Sequence, residues 1–126
     1  MAGSGLMASE VSQEKIEGRL KIRLDARKIG TDLLIIITGG ESHIGAVGAG
    51  TKSVSKLATS SVITLPGHRD DRIAKDAAEQ ISKKFGCNCA VIAGIHYDHI
   101  SPEEIDKIVF MVDDLIEKLE EALRTA

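Results

Sequence analysis

A run of five aliphatic residues, Leu33 to Ile37, limits the fold of this chain more than any other stretch. The run is apolar on both faces of an extended strand, and its three isoleucines are β-branched, which favours a strand. Five residues are far too few to cross a bilayer. We therefore expect a central β-strand that is covered on both faces, in a layered domain.

Further strands are predicted on both sides of this run. Apolar and charged residues alternate over 20–27, as in a strand with one face in solvent. Short apolar or β-branched runs predict strands at 44–51, 61–65 and 89–95. We expect the glycine-rich strand at 44–51 to pair antiparallel with the central strand across the 39–43 loop, and its glycines to allow a close approach.

Two stretches predict helices. The first covers Arg69–Phe85 and ends at Gly86, a typical C-terminal stop. The second begins with Ser101-Pro102-Glu103-Glu104, which is a capping box with proline at the first helical position, and runs to about Leu123. Phe110 lies off its apolar stripe, either as a lone surface residue or as a subunit contact. The predicted stripe consists of Ile105, Ile108, Val109, Val112, Leu115, Ile116, Leu119 and Leu123.

The order of these elements is four strands, a helix, a strand and a helix. It predicts an α+β fold, with a mainly antiparallel sheet and two helices packed on it. Residues 1–14 are small and polar, so we expect a flexible N-terminal segment, followed by a single α+β domain over residues 15–126.

Charge and composition narrow the classes of partner. The net charge is −3 with both signs interspersed, and aromatic residues make up only 2% of the chain, so we expect no nucleic-acid partner. No signal peptide or membrane-spanning run is recognisable, which predicts a cytoplasmic protein without a membrane partner. We interpret Cys87 and Cys89 as a reduced pair.

All four histidines lie in three glycine-containing segments, each at the edge of a predicted strand. The segments are Thr38–Gly45, Leu65–Asp71 and Gly94–His99. Functional groups are commonly placed where strands end and loops begin, so we expect these segments to converge.

Part of this surface is a candidate for binding a ligand or an anion. A Gly-Gly pair can present backbone N–H groups to an anion, and an arginine at a helix start adds positive charge. In the alternative interpretation the glycines form a hairpin turn and the arginine pairs with a nearby acid. The candidate residues are Gly39, Gly40, His43, Gly67, His68 and Arg69.

The histidines also permit chemistry of other kinds. His43, His68, His96 and His99 are weak candidates for metal ligands, because an H-x-x-H at a strand end is a weak signal, and we assign no metal. Acid–base catalysis by His68 or His96 beside a carboxylate is a further alternative, although we assign no catalytic residue. Otherwise His96, Asp98 and His99 form a polar surface for a partner or a ligand.

The three segments, in this order and spacing, resemble a known family. They are similar to the small D-type accessory subunit of gallate and vanillate decarboxylases, the prenylated-flavin chaperone-like (LpdD-like) family. The resemblance covers roughly Leu20 to Leu119, and Ser42 stands where the family would have a proline. The matching positions are Gly39, Gly40, His43, Gly45, Gly67, His68, Gly94, His96 and Asp98.

The resemblance implies a layout like that of proteasome assembly chaperones, and a homodimer. It also implies a non-catalytic accessory role in assembly or prenylated-flavin loading of a UbiD-type aromatic acid decarboxylase. A flavin prenyltransferase would be another partner, and prenylated FMN would bind transiently rather than permanently. Two alternatives remain open: a small metal- or phosphate-dependent enzyme that uses His43, His68 and His96, and a proteasome-assembly-type chaperone.

Overall fold

The computed structural model describes residues 10–51, the backbone of residues 59–64, and residues 70–125. Six strands form one sheet in the order β1-β2-β3-β6-β4-β5, in which only β3 and β6 are parallel neighbours. The predicted α+β class, with a mainly antiparallel sheet and two helices, is confirmed. The elements are β1 (Glu10–Glu17), β2 (Leu20–Ile29), β3 (Asp32–Gly40), β4 (Ala46–Thr51), β5 (Thr59–Thr64), α1 (Asp71–Phe85), β6 (Cys89–His96) and α2 (Pro102–Thr125).

The predicted pairing between the strand at 44–51 and the central strand is wrong. Ile92 of β6 lies opposite Ile36 of β3 on one side and opposite Val47 of β4 on the other. The chain returns to the sheet through α1, and this crossover places β6 parallel to β3. Because β6 fills the space between β3 and β4, residues 41–45 bridge two strands that are not neighbours.

The predicted flexible segment 1–14 is wrong for residues 10–14, which belong to β1. Val11 lies opposite Ala26 of β2, and alternate residues of β1 are half-buried. The backbone groups at the edge of β2 supply hydrogen-bond partners that the polar sequence of β1 does not reveal. Residues 1–9 lie outside the described residues.

Both helices pack on the same face of the sheet, with α1 over β4, β5 and β6 and α2 over β1 and β2. The core lies beneath them and includes Ile22, Ile35 and Val91, all fully buried. A Cβ added at Gly48 would lie 2.5 Å from the carbonyl oxygen of Ala74. The glycine therefore allows α1 to approach β4, which is the close approach that the sequence predicts for this strand.

The opposite face of the sheet has no helix over it in the described part of the chain. It is largely apolar across β3, β6 and β4, but charged across β2, where Arg23, Asp25 and Arg27 lie opposite β3. Leu34, Ile36 and Ile92 on this face are half-buried. The prediction that the central strand is covered on both faces is thus wrong within the described residues, because both helices lie on one side. We call this side the open face and the other the covered face.

The helix ends agree with the sequence, whereas the apolar stripe of α2 does not. The N–H of Glu104 donates to Ser101 Oγ at 3.1 Å and the N–H of Ser101 donates to the Glu104 carboxylate at 3.1 Å, which confirms the capping box. Gly86 ends α1 with a left-handed φ of 60°, as predicted. In α2, however, Met111 is fully buried although it was not in the predicted stripe, and Val109 is 46% exposed.

The reason is the placement of α2 over β1 and β2, which turns Ile108, Met111 and Leu115 towards the sheet. Val109 instead faces a groove between the two helices. No helix in the described residues is long and apolar enough to span a membrane.

Candidate functional site

The C-terminal ends of β3 and β6, the start of β4 and the start of α1 meet at one end of the sheet, within its central strands. This brings together the first and third of the predicted segments, with Asp70 from the second. We define the glycine–histidine edge as residues 39–45, residue 70 and residues 94–99. The predicted convergence is therefore observed for the described part of these segments.

The loop over residues 41–45 passes over the end of β6. The N–H of Glu41 donates to the carbonyl of His96 at 2.9 Å, and the N–H of Gly45 donates to the carbonyl of Ala93 at 2.9 Å. Between these two bonds, a Cβ added at Gly94 would lie 1.6 Å from the carbonyl oxygen of His43. Glycine at position 94 therefore permits the backbone of His43 to lie against the open face.

Gly40 has a similar structural role. Its φ is +63°, a left-handed conformation that favours glycine, and a Cβ there would lie 2.1 Å from the carbonyl oxygen of His96. The turn directs the N–H of Glu41 to that same carbonyl, so this N–H group is already occupied. The anion-binding role of Gly39 and Gly40 stays a prediction, and it cannot use that donor without breaking a backbone bond.

A buried carboxylate joins the parts of the edge. Asp70 is only 6% exposed, and although it precedes α1 its side chain makes no capping bond to the helix. One carboxylate oxygen accepts from the N–H of Ile95 at 3.2 Å, and the other lies 3.6 Å from Nε2 of His43. A Cβ added at Gly45 would lie 2.1 Å from the second oxygen. Burial of a carboxylate is costly unless it is paired, so these contacts tie α1, β6 and the loop together.

Two of the three histidines at the edge, His43 and His96, each have a carboxylate partner. His43 Nδ1 lies 2.9 Å from the carbonyl oxygen of Glu41, which can only accept, so Nδ1 carries a hydrogen and Nε2 faces Asp70. His96 Nε2 lies 3.1 Å from the Asp98 carboxylate. The two rings meet edge to face with their centres 6.4 Å apart. The half-exposed ring of His96 can therefore form hydrogen bonds with a partner.

In the described part of the chain, the other predicted site residues do not all contact the rings of His43 and His96. His99 is exposed in the turn after β6, where its backbone is left-handed with a φ of 52°. Gly67, His68 and Arg69 lie outside the described residues, so their part in the site stays a prediction. Within the described ranges, no group of three or more His, Cys, Asp or Glu side chains is placed to hold a metal ion.

A depression of about 470 Å³ lies beside Gly39 and Gly40 and was missed by the sequence predictions. It is lined by the cations Arg19, Lys21 and Arg23, by the acid Glu14, which lies 3.5 Å from Lys21 Nζ, and by Tyr97. The alternating pattern over residues 20–27 predicts only that Lys21 and Arg23 lie on a face in solvent. Nothing in that pattern indicates that these residues border Gly39 and Gly40. The depression places three cations next to the predicted anion site.

These cations already have acidic partners. The Arg19 guanidinium donates to both oxygens of Glu104, at 2.7 and 2.9 Å, and lies 5.5 Å above the ring centre of Tyr97. This guanidinium, and then the backbone N–H of Ser101, lower the pKa of Glu104 to about 2. Arg23 pairs with Asp25 at 2.9 Å. An anion that enters the depression would therefore compete with these carboxylates.

The two cysteines lie away from this chemistry. Cys87 and Cys89 are both buried and free. Burial, and to a lesser extent the neighbouring Cys87, raise the pKa of Cys89 to about 12, so its thiol stays protonated at neutral pH. Neither cysteine has the character of a nucleophile.

Comparison with known proteins identifies the family. A sequence model described as the prenylated flavin chaperone LpdD-like domain matches residues 16–124 of this chain. The chain belongs to this LpdD-like family. The match runs from the end of β1 to the last turn of α2 and contains every described residue of the glycine–histidine edge. The resemblance carried by the three glycine-containing segments is thus confirmed.

A curated relative and a solved structure extend this result. The chain is 34% identical over 93 residues to Protein LpdD of Lactiplantibacillus plantarum, and the alignment covers 69% of this chain and 65% of the relative. The chain thus spans slightly less than two thirds of that protein. A chain from a chaperone complex for yeast 20S proteasome assembly matches with a TM-score of 0.62 over 90% of this chain and 98% of its own length. At 17% identity this similarity shows a shared fold only, and confirms the predicted layout.

Proposed function

We propose that this LpdD-like protein is a non-catalytic, chaperone-like accessory protein that assists the assembly or the prenylated-flavin loading of a UbiD-type aromatic acid decarboxylase. The observation that carries the proposal is the match of the prenylated flavin chaperone LpdD-like domain over residues 16–124. The activity, cofactor and partners are all part of the proposal.

The surface that would contact the enzyme partner is the glycine–histidine edge. The side chains of His96 and Asp98 are 50% and 82% exposed, and Ile44 in the same loop is an exposed apolar residue. An apolar side chain among exposed polar groups is typical of a protein-binding surface. The backbone bonds and glycine contacts of loop 41–45 hold this surface in one shape, which lowers the entropy cost of binding.

The cofactor would be handled transiently, without a permanent site. The depression beside Gly39 and Gly40 offers Arg19, Lys21 and Arg23 to the phosphate of prenylated FMN. Because these cations have acidic partners, a phosphate would bind weakly. Tyr97 is the aromatic residue at the depression, and its hydroxyl exchanges hydrogen bonds with the backbone of Lys21 at 2.7 and 2.9 Å. This arrangement favours passing a flavin to the decarboxylase over retaining it.

The proposal includes a homodimer formed through the open face. Leu34, Ile36, Val47 and Ile92 are half-buried neighbours on this face. Two sheets that pack face to face would bury this apolar area in each copy. The proposed place of action is the cytoplasm, where the two reduced cysteines are expected to persist.

The other two hypotheses have less support. A metal-dependent enzyme would need ligands from outside the described residues, since these hold no suitable cluster. A role in proteasome assembly would rest on the fold alone. Both remain outcomes of the experiment below.

The test combines the purified protein with a UbiD-type decarboxylase and a flavin prenyltransferase. We expect the protein to bind one of them and to increase the fraction of decarboxylase that holds prenylated flavin, measured by absorbance and mass spectrometry. Replacing His43 and His96 by alanine should weaken binding by about tenfold, the effect of losing a central contact. Lys107→Ala on the exposed side of α2 is the control and should leave binding unchanged.

The proposal would be overturned if the protein bound neither enzyme and left the yield of loaded decarboxylase unchanged. Stoichiometric metal or a tightly held phosphate ester in the purified protein would instead favour the enzyme hypothesis. Binding to proteasome subunits alone would favour the third hypothesis.

A further inference from the structure

The two helices leave an open groove between them on the outside of the covered face. Its volume is about 550 Å³, within the range of pockets that hold ligands and side chains. The floor is apolar and consists of the buried residues Ala77, Val112 and Ile116. The floor thus offers apolar contact to an inserted side chain.

One wall of the groove is an exposed apolar patch on α2. Phe110 is 72% exposed, the highest value among the large apolar residues, and the adjacent Val109 is 46% exposed. Ile105, one turn before Val109 and outside the lining of the groove, is 48% exposed. Single exposed apolar residues are common, but three within two helical turns beside a groove are typical of a binding surface, and aromatic residues commonly serve as its anchors.

The rim of the groove is acidic. Asp76, Asp106 and Asp113 line it together with a single cation, Arg72, whose guanidinium lies 3.8 Å from Asp76. In the described residues no lysine, arginine or histidine forms an ion pair with Asp106 or Asp113. Burial, and then the carboxylates of Asp76 and Asp114, raise the pKa of Asp113. The groove therefore combines an apolar floor with negative charge that lacks a counterion.

We propose that this groove binds an amphipathic helical segment of another protein that carries lysine or arginine beside its apolar face. Apolar side chains spaced at i, i+3 or i+4, and i+7 would enter the groove next to Phe110. The basic side chains would reach Asp106 and Asp113 at the rim and supply the missing positive charge. This binding site is separate from the glycine–histidine edge and does not depend on the proposed function.

Charge also decides against a second copy of this chain as the occupant. Two copies that met through this face would bring together two rims, each with three carboxylates and the cation Arg72. Like charges at an interface are costly, so self-association here is disfavoured. The partner is consequently expected to be basic, in contrast to this acidic helix pair.

The experiment uses the full chain and a synthetic helical peptide of leucine and lysine with its apolar residues on one face. Two control peptides have glutamate in place of lysine, or the same residues in scrambled order. Binding is measured by titration calorimetry at two salt concentrations. We expect the leucine–lysine peptide to bind, the glutamate peptide not to bind, and added salt to weaken binding because the rim charges are exposed.

Variants of the chain distinguish peptide binding in this groove from non-specific electrostatic binding. Phe110→Ser should weaken peptide binding by about tenfold, and Asp106→Asn with Asp113→Asn by several-fold. The matched controls are Ile29→Ser, another exposed apolar residue, and Glu103→Gln with Glu117→Gln, two exposed acids on α2 that do not line the groove. Both controls should bind like the unmodified chain. Thermal unfolding of each variant checks that these surface changes leave the fold intact.

Equal binding by the Phe110→Ser variant, by the double Asn variant or by the glutamate peptide would overturn the proposal. Absence of peptide binding together with a concentration-dependent dimer that Phe110→Ser abolishes would overturn it as well, and would assign the groove to a second copy. Weakening by the control variants to the same extent would show that the peptide binds by net charge, which also contradicts the proposal.

Discussion

In the central strands β3 and β6, the two faces of the sheet have similar apolar side chains and different surroundings. In β3, Ile35 points to the covered face and is fully buried, whereas its neighbour Ile36 points to the open face and is half-buried. Both helices pack on the side of Ile35. The covered face thus accounts for the stability of the folded chain, and the open face is surface that the described chain leaves for association.

On both faces, a glycine allows another part of the chain to approach the sheet closely. On the covered face Gly50 admits α1, since a Cβ there would lie 2.2 Å from the carbonyl oxygen of Ala78. On the open face Gly94 admits the backbone of His43. Missing side chains thus allow a helix to approach on one face and a functional loop on the other.

The largest effect that tests the difference between the covered and the open face is expected from shortening Ile35 and Ile36. Ile35→Ala should lower the free energy of unfolding by about 4 kcal/mol, because it leaves a cavity in the core. Ile36→Ala should cost only about 1 kcal/mol in a monomer, because the side chain loses little buried area. Urea denaturation at low protein concentration measures both.

Equal costs for the two variants would contradict the distinction between the faces. If the cost of Ile36→Ala rises with protein concentration, the open face is buried between copies, as the homodimer proposal expects. Sedimentation velocity at the same concentrations provides the independent measurement.

The next largest effect is expected where loop 41–45 covers part of the open face. Gly94→Ala should destabilise the protein by about 3 kcal/mol, the upper range for overpacking, because the new methyl group collides with the His43 carbonyl. Gly18→Ala is the control: its φ is +59° but nothing lies within 4 Å of the added Cβ, so it should cost about 1 kcal/mol.

Chemical shifts of the His43 and His96 rings should move in the Gly94→Ala variant and stay constant in the Gly18→Ala variant. A Gly94→Ala variant as stable as the unmodified protein would show that loop 41–45 does not rest on β6.

A smaller effect is expected for an ion pair between the helices on the covered face. The carboxylate of Glu120 is buried, and Lys84 Nζ lies 3.5 Å from it. Lys84→Met should cost about 1.5 kcal/mol, because the carboxylate loses its cation, while the exposure of Lys84 limits the loss. With Glu120→Gln already present, Lys84→Met should cost much less. Equal costs in both backgrounds, measured by a double-mutant cycle in urea, would show that the two residues do not interact.

The smallest effect concerns the contact between the β1–β2 turn and the start of α2. The pKa of Glu104 is lowered from 4.5 to about 2, first by the Arg19 guanidinium. Its ionised form is therefore favoured in the folded state, so the stabilisation is present above pH 4.5 and is lost as the pH falls towards 2. Glu104→Gln should flatten the pH dependence of the free energy of unfolding in this window. Glu103→Gln, a change at the exposed neighbouring residue, should not. Parallel curves for the two variants would refute the assignment.

Much of the fold can be predicted from local sequence signals. The capping box at Ser101 and the stop at Gly86 are satisfied by atoms a few residues apart, so the local sequence contains the whole explanation. The α+β class follows from the order of the elements. By contrast, β1 has no strong apolar pattern of its own, and its backbone finds partners only when β2 is beside it.

The candidate site was predicted in outline from the positions of its glycines and histidines. Sequence position placed His43 and His96 at strand ends, and the structure brings their rings together. Asp70 belongs to the second predicted segment, but nothing in the sequence indicates that its carboxylate is buried beside Ile95 and His43. The depression formed with Arg19 and Lys21 was missed, because these residues approach Gly40 only through the pairing of β2 with β3.

The amino-acid sequence by itself determined which segments after β1 become strands and helices, and where the histidines and glycines of this protein gather. These properties depend on side-chain periodicity and backbone preference within a few residues. Only the tertiary structure decided that β6 lies between β3 and β4, that both helices cover one face, and that the His43 loop rests on Gly94. These outcomes depend on long-range contacts between surfaces that are equally apolar in the central strands, so only the assembled chain distinguishes them.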